Sequence, residues 1–250
     1  MGDGAARDDV IAFASELLDL DAYPDYGPMG MQVAGAERVR KIACGVSASR
    51  ELFERSGGSG AQLLLVHHGL FWKGDSPVID PVARERLRAL FDADLTLAAY
   101  HLALDAHAEV GNNALLAGEL GVRVEDRFAD VGWGGRLPRA TSIDELVGRV
   151  REAVGREPVV FAFGSERVER VAICSGGAPR LLPQAAAEGY DCYMTGEPAE
   201  PSKHLALEHG IHFVAAGHYA TETLGVQALA ARLAERFSLE WEFIDVPNPV

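Results

Sequence analysis

Short, nearly unbroken apolar runs alternate along this chain with stretches whose apolar positions recur every three or four residues. These are the signatures of buried strands and amphipathic helices. The runs predict strands at 39–46, 62–66 and 95–99, then at 159–163, 168–174, 191–194, 211–216 and 240–244. Strands that are apolar on both faces belong to parallel sheets covered by helices, so an α/β fold is expected. Helices are predicted at 8–20, 81–92, 112–120, 143–155, 179–188, 199–208 and 221–237. Asp80 caps and Pro81 opens the second of these, and Ser142-Ile143-Asp144-Glu145 is a capping box for the fourth. Tyr23-Pro24-Asp25-Tyr26-Gly27-Pro28 stops the first helix, because two prolines and a glycine cannot extend it. Around Asp130-Val131-Gly132-Trp133-Gly134-Gly135-Arg136-Leu137-Pro138 the texture turns glycine-rich and reads as a connection.

The pattern also repeats. Arg38-Val39-Arg40-Lys41-Ile42-Ala43 lies against Arg167-Val168-Glu169-Arg170-Val171-Ala172 at a shift of 129 residues, which carries His67-His68 onto Gly196-Glu197. A second register, of 117 residues, sets His101 on His218 and Asp105 on Glu222. Together they predict two related α/β halves that send strand ends towards one shared cleft, since open parallel sheets bind ligands outside the carboxyl ends of their strands.

Those strand ends carry imidazoles. His67-His68 closes the run Ala61-Gln62-Leu63-Leu64-Leu65-Val66, His101 follows 95–99, and His218 follows 211–216. Asp105 and Glu222 each stand four residues after a histidine. Imidazole with carboxylate is the donor set of Zn, Mn, Fe, Co or Ni, and several donors from three segments point to a two-metal centre. Successive side chains on a strand point in opposite directions, so His67 and His68 share a cleft only if the chain turns there, and Gly69 is expected to permit that turn. His107, His204, His209 and His212 are expected to be structural. Gly176-Gly177 reads as a tight turn, with a phosphate cradle as the sharper alternative. Lys73 reads as a solvated loop lysine, with an anionic substrate as its alternative partner.

Composition narrows the class. At 250 residues with 48% apolar residues the chain can bury a sizeable core as one or two domains. A formal net charge of −14, with no basic cluster, argues against nucleic acid as a partner. No apolar run approaches the roughly 18 residues of a membrane span. The segment Met1-Gly2-Asp3-Gly4-Ala5-Ala6-Arg7-Asp8-Asp9 lacks a signal peptide's basic start and apolar block, so a cytoplasmic protein is expected. Cys44, Cys174 and Cys192 are too few and scattered for a disulfide framework or a cysteine-rich zinc module.

The chain resembles the Nif-three-like dinuclear-metal family, whose bacterial members carry the label GTP cyclohydrolase I type 2 homologue. The matching segments are Val66-His67-His68-Gly69-Leu70-Phe71-Trp72-Lys73-Gly74, then Tyr100-His101-Leu102-Ala103-Leu104-Asp105-Ala106-His107 with Gly111-Asn112-Asn113, then Gly217-His218-Tyr219-Ala220-Thr221-Glu222. The resemblance implies two similar intertwined α/β domains, the metal site in the cleft between them, and assembly as a homohexamer. The first domain is then expected over residues 1–128 with about 199–250, and the second over about 129–198. It implies two divalent ions per chain on His67, His68, Asp105, His218 and Glu222, with Glu222 bridging, and His101 as a sixth ligand or a group behind the ligands. The stretch Tyr26-Gly27-Pro28-Met29-Gly30-Met31-Gln32-Val33 departs from the Asn-x-Gly-Leu pattern of the family, so no role is carried over for that asparagine.

Two functions follow as expectations. The first is a metal-dependent hydrolase acting on a small polar or nucleotide-like substrate, with Glu197 as general acid or base because the repeat sets it where His68 stands. The alternative is a non-enzymatic metal-binding hexamer that stores or delivers ions or scaffolds a partner.

Overall fold

The computed structural model describes residues 3–250. Along the chain run β1 (Ala5–Ala6), α1 (Arg7–Leu17), β2 (Gly30–Val33), β3 (Arg38–Val39), β4 (Lys41–Ser47), α2 (Arg50–Gly58), β5 (Leu63–His68), α3 (Pro81–Asp92) and β6 (Thr96–Ala99). Next come α4 (Leu102–Ala106), α5 (Asn112–Glu119), β7 (Arg123–Phe128), β8 (Gly132–Thr141), α6 (Ile143–Val154), β9 (Val159–Ala162) and β10 (Val168–Ile173). The chain closes with α7 (Leu182–Ala187), β11 (Cys192–Thr195), α8 (Ser202–His209), β12 (His212–Ala215), α9 (His218–Thr221), α10 (Thr223–Phe237) and β13 (Glu240–Phe243). The fold is mixed α/β with several sheets. Among the described residues, no helix is long and apolar enough to cross a membrane.

Two compact units divide the chain. The first comprises the residues up to Leu104 with Gly225–Val246, and the second Asp105–Leu224 with Pro247–Val250. The breaks therefore fall at 104/105, 224/225 and 246/247, where approximate boundaries at 128/129 and 198/199 were expected. Strand pairing is the reason: β7 pairs with β8, and β12 pairs with β11, which ties 105–128 and 199–224 to the second sheet.

The sheet of the first unit has the order β13-β4-β5-β6-β2, with β4, β5, β6 and β13 parallel and β2 an antiparallel edge. Its interior holds Ala43, Leu64, Val66, Leu97 and Ala99 against Leu52, Phe53 and Leu90 from the covering helices. The caps are those the sequence announces: Asp80 accepts from Ala83 N, and Pro81 opens α3.

The sheet of the second unit has the order β7-β8-β10-β11-β12-β9, with β10, β11 and β12 parallel. Val171, Ile173, Cys192, Met194 and Val214 pack on Leu146, Val147 and Val150 of α6. Ser142 Oγ accepts from Glu145 N, making the forward half of the expected box, while the Glu145 carboxylate turns to Arg149. The glycine-rich connection is in fact strand β8, which pairs with β7 and β10. Its glycines admit close neighbours: a Cβ on Gly134 would overlap the Tyr190 hydroxyl, and one on Gly135 the Arg123 carbonyl. The expected helix at 221–237 is interrupted at Glu222, which has φ −118° and ψ 8° between α9 and α10.

Candidate metal centre

In the first unit the buried strand β5 runs between β4 and β6 and ends on the two histidines. His67 is fully buried, and its Nδ1 lies 3.0 Å from the Tyr100 carbonyl oxygen. A carbonyl only accepts, so Nδ1 carries the proton and Nε2 the lone pair. The Nδ1 of His68 lies 3.2 Å from Ser47 Oγ, in the strand partner that its backbone register places opposite. His101 presents Nδ1 to Asp25 Oδ1 at 2.9 Å. One donor atom from each of the three imidazoles lies within 4.8 Å of the others, which is the spacing of groups that could hold a metal ion.

The adjacent rings of His67 and His68 have centroids 4.8 Å apart, although both residues belong to β5. Gly69 contributes otherwise than expected. It is not among the glycines with positive φ, and a Cβ there would run into the Gln32 amide. That amide accepts from Leu70 N at 2.7 Å and donates to the Pro28 carbonyl at 2.7 Å, so it latches the loop after β5 to the segment before β2.

Asp25 is the residue that the sequence reading missed. Its side chain is 3% exposed. Oδ1 accepts from His101 Nδ1 and from Tyr26 N (2.6 Å), and Oδ2 accepts from Leu102 N (2.9 Å), the first residue of α4. Burial disfavours its charge, but the hydrogen bond and charge of His101, with the two backbone N–H groups, outweigh burial and hold the carboxyl below its ordinary range.

In the second unit Asp105 is buried, and its Oδ1 accepts from Asn112 Nδ2 (2.9 Å) and Ser175 Oγ (3.1 Å). Asn113 accepts from Ser175 N (2.6 Å) and donates to the Val131 carbonyl (3.0 Å), which fixes the turn after β10. Gly217, at φ +101°, turns the chain from β12 into α9 so that His218 opens the helix and Glu222 follows it. The His218 Nδ1 hydrogen-bonds to Glu197 Oε1, and Nε2 lies 3.3 Å from Glu222 Oε1. Burial opposes a charge on His218, yet Glu222 and Glu197 together push its pKa up to about 9. The arrangement favours positive charge between two carboxylates.

Gly176 has a sharper role than turn or cradle. Its N–H is used by Thr221 Oγ1 (3.1 Å), and a Cβ there would overlap the Glu222 carboxylate. It is glycine so that Glu222 can lie against the backbone.

The four imidazoles share one feature. His67, His68, His101 and His218 are all anchored through Nδ1, to a carbonyl, a hydroxyl and two carboxylates. Metal-binding histidines are commonly oriented in this way, through the ring nitrogen that does not bind the ion. His212 is the counter-example: Nδ1 accepts from Gly164 N (3.3 Å) and Nε2 bonds the Ser165 carbonyl (2.8 Å), so both nitrogens serve the fold. His107 Nδ1 accepts two backbone N–H bonds in the turn before α5, and His204 and His209 lie exposed on α8. Lys73 is exposed. All three cysteines are free and buried. Burial pushes the thiols of Cys174 and Cys192 up to about 12, in Cys174 with help from Asp105 and Glu222.

Comparison with known proteins finds relatives along nearly the whole chain. The profile described as Duf34/NIF3 (NGG1p interacting factor 3) matches residues 5–249. A Pseudomonas aeruginosa protein named GTP cyclohydrolase 1 type 2 homolog is 44% identical over 241 residues, covering 94% of this chain and 95% of its own. An Escherichia coli protein of the same name is 44% identical over 236 residues, with 94% and 96% covered. Among solved structures, the protein ybgI, described as of unknown function, superposes with a TM-score of 0.95 at 42% identity over 98% of this chain and 100% of its own. A Thermus thermophilus protein does so with a TM-score of 0.92 at 37% identity, again over 98% and 100%.

Proposed function

The chain belongs to the Duf34/NIF3 family, and from that premise we propose that it holds two divalent ions and uses them to hydrolyse a small polar or nucleotide-like substrate. The ligands are His67, His68, Asp105, His218 and Glu222, with Glu222 as the bridge and His101 as a sixth donor. The anchoring of every one of the four imidazoles through Nδ1 is the observation that carries this reading. Chain continuity supports pooling the two sets, since only three residues separate His101 from Asp105. Divalent ions, when bound, supply Lewis acidity and lower the pKa of water. The protein supplies the rest: Ser175 and Asn112 orient Asp105, Gly176 gives Glu222 its seat, and Glu197 holds His218. Glu197 is also the proposed acid–base group.

We propose too that the two halves arose by internal duplication and that the metals lie in the cleft between them. Sheet register supports the duplication. Ile42 pairs with Leu63 and Val171 with Cys192, so both partners move by the same 129 residues. The antiparallel edges agree: Gly30 pairs with Ala99, and Val159, 129 residues after Gly30, pairs with Ala215. Ala99 to Ala215 is a shift of 116, and one inserted residue before the imidazole makes the 117 that relates His101 to His218. The homohexamer remains a proposal resting on family membership.

A panel of phosphate, amide and nucleotide-ring substrates tests the hydrolase reading. Turnover abolished by a chelator and restored by Zn, Mn, Fe, Co or Ni is the expected result. A metal-replete protein that turns over none of them would transfer the centre to storage, delivery or scaffolding.

A further inference from the structure

We propose that Asp25 is a positioning residue of the metal centre: its carboxylate fixes His101 as the Nδ1–H tautomer, and so makes Nε2 a donor atom beside those of His67 and His68. The inference rests on the proposed metal centre and adds to it a residue outside the ligand set.

A buried aspartate in a loop is usually a turn former or a helix cap, and Asp25 does both tasks through Tyr26 N and Leu102 N. Those tasks do not explain the third bond. Oδ1 receives the imidazole as well as the Tyr26 amide, so three N–H donors converge on one side chain that is 3% exposed. An asparagine has one acceptor oxygen and would set its NH₂ against a donor. Only a carboxylate accepts from all three.

The imidazole is also held from other directions. The Trp72 ring meets it edge-on, with centroids 5.2 Å apart and an interplanar angle of 82°, and the Tyr26 ring lies 6.2 Å away. The loop bearing Asp25 is tied to the loop after β5 by Lys73 N donating to the Tyr26 carbonyl at 2.5 Å. With Nδ1 committed and the ring flanked, the His101 ring centroid stands 4.9 Å from that of His67 and 5.5 Å from that of His68.

The second unit repeats the device from a different source. His218 corresponds to His101 in the repeat, and its Nδ1 is held by Glu197. Glu197 follows β11 and corresponds to His68, whereas Asp25 precedes β2. Two carboxylates at non-equivalent positions thus orient two equivalent imidazoles, and a shared task at the metal accounts for that better than descent. A carboxylate behind a ligating imidazole raises its basicity, and losing it typically costs about 10- to 100-fold in metal affinity.

The test uses the full chain as wild type, Asp25→Ala, Asp25→Asn, His101→Ala and the Asp25→Ala/His101→Ala double variant. Zinc affinity is measured by chelator competition, and histidine tautomers by ¹⁵N NMR before and after zinc. Each single variant is expected to weaken zinc binding by about 10- to 100-fold, and the double variant to be no weaker than His101→Ala alone. Wild-type His101 is expected as the Nδ1–H form, with its Nε2 resonance moving on zinc addition. Unchanged affinity in both Asp25 variants, or additive losses in the double variant, would overturn the proposal while leaving the metal centre standing. If the Asp25 variants do not fold, the wild-type spectrum decides: an Nε2–H tautomer, or an Nε2 resonance indifferent to bound zinc, overturns it. A wild type that takes up no zinc removes the metal centre itself and this inference with it.

Discussion

A histidine ring has two nitrogens, and the partner of one decides what the other can do. His212 spends both on backbone groups of the Gly164-Ser165 turn. Replacing it by Ala should therefore cost about 1–3 kcal/mol of stability, the penalty for orphaned buried partners, and leave metal content unchanged by elemental analysis. Glu197→Gln probes the other kind of residue. The amide oxygen can still accept from His218 Nδ1, so at saturating metal both ions should remain bound. If Glu197 moves a proton, turnover should fall by about 100- to 10,000-fold; full activity at full occupancy would leave it with positioning alone. His218 also sets a pH dependence in the chelated protein. Its folded pKa of about 9 stands above the usual 6.5, so its stabilisation is complete below pH 6.5 and lost as pH rises through about 9. The melting temperature of chelated protein should fall across that window more than that of a His218→Gln variant. Parallel curves for the two would contradict the assignment.

At the scale of elements, turns carry as much of the site as strands do. Gly176→Ala puts a methyl into the Glu222 carboxylate and strains a φ of +66°. A loss of about 1–3 kcal/mol in denaturant unfolding is expected, together with weakened metal binding, whereas Gly58→Ala, in open space on α2, should do neither. Strands β4, β5, β6, β11 and β12, with the second half of β10, are buried on both faces and announce themselves as apolar runs, and the imidazoles were readable because they end such runs. Strand β7 is Arg-Val-Glu-Asp-Arg-Phe with five exposed positions, and β8 contains three glycines and a proline, so neither has a strand's alternation. Helix α2 ends in Gly57-Gly58 and was not read at all. Asp25 and Ser175 were invisible for another reason: the partners that tie them to the site lie 62 to 77 residues away, and nothing local marks a residue that acts across such a distance.

For the whole molecule, a charge of −14 disfavours nucleic acid and leaves a small molecule and other copies of the chain as the proposed partners. Light scattering at micromolar concentration should give six chains, and a stable monomer or dimer would contradict the assembly. The proposed centre makes a narrower demand: one polypeptide must hold two ions on its anchored imidazoles and buried carboxylates. Metal quantified per chain in protein stripped, reloaded with excess Zn or Mn and freed of unbound ion addresses it most directly. About two ions per chain are expected, with both sites weakened by Glu222→Gln, and one ion or none in the wild type would rule out the two-metal centre.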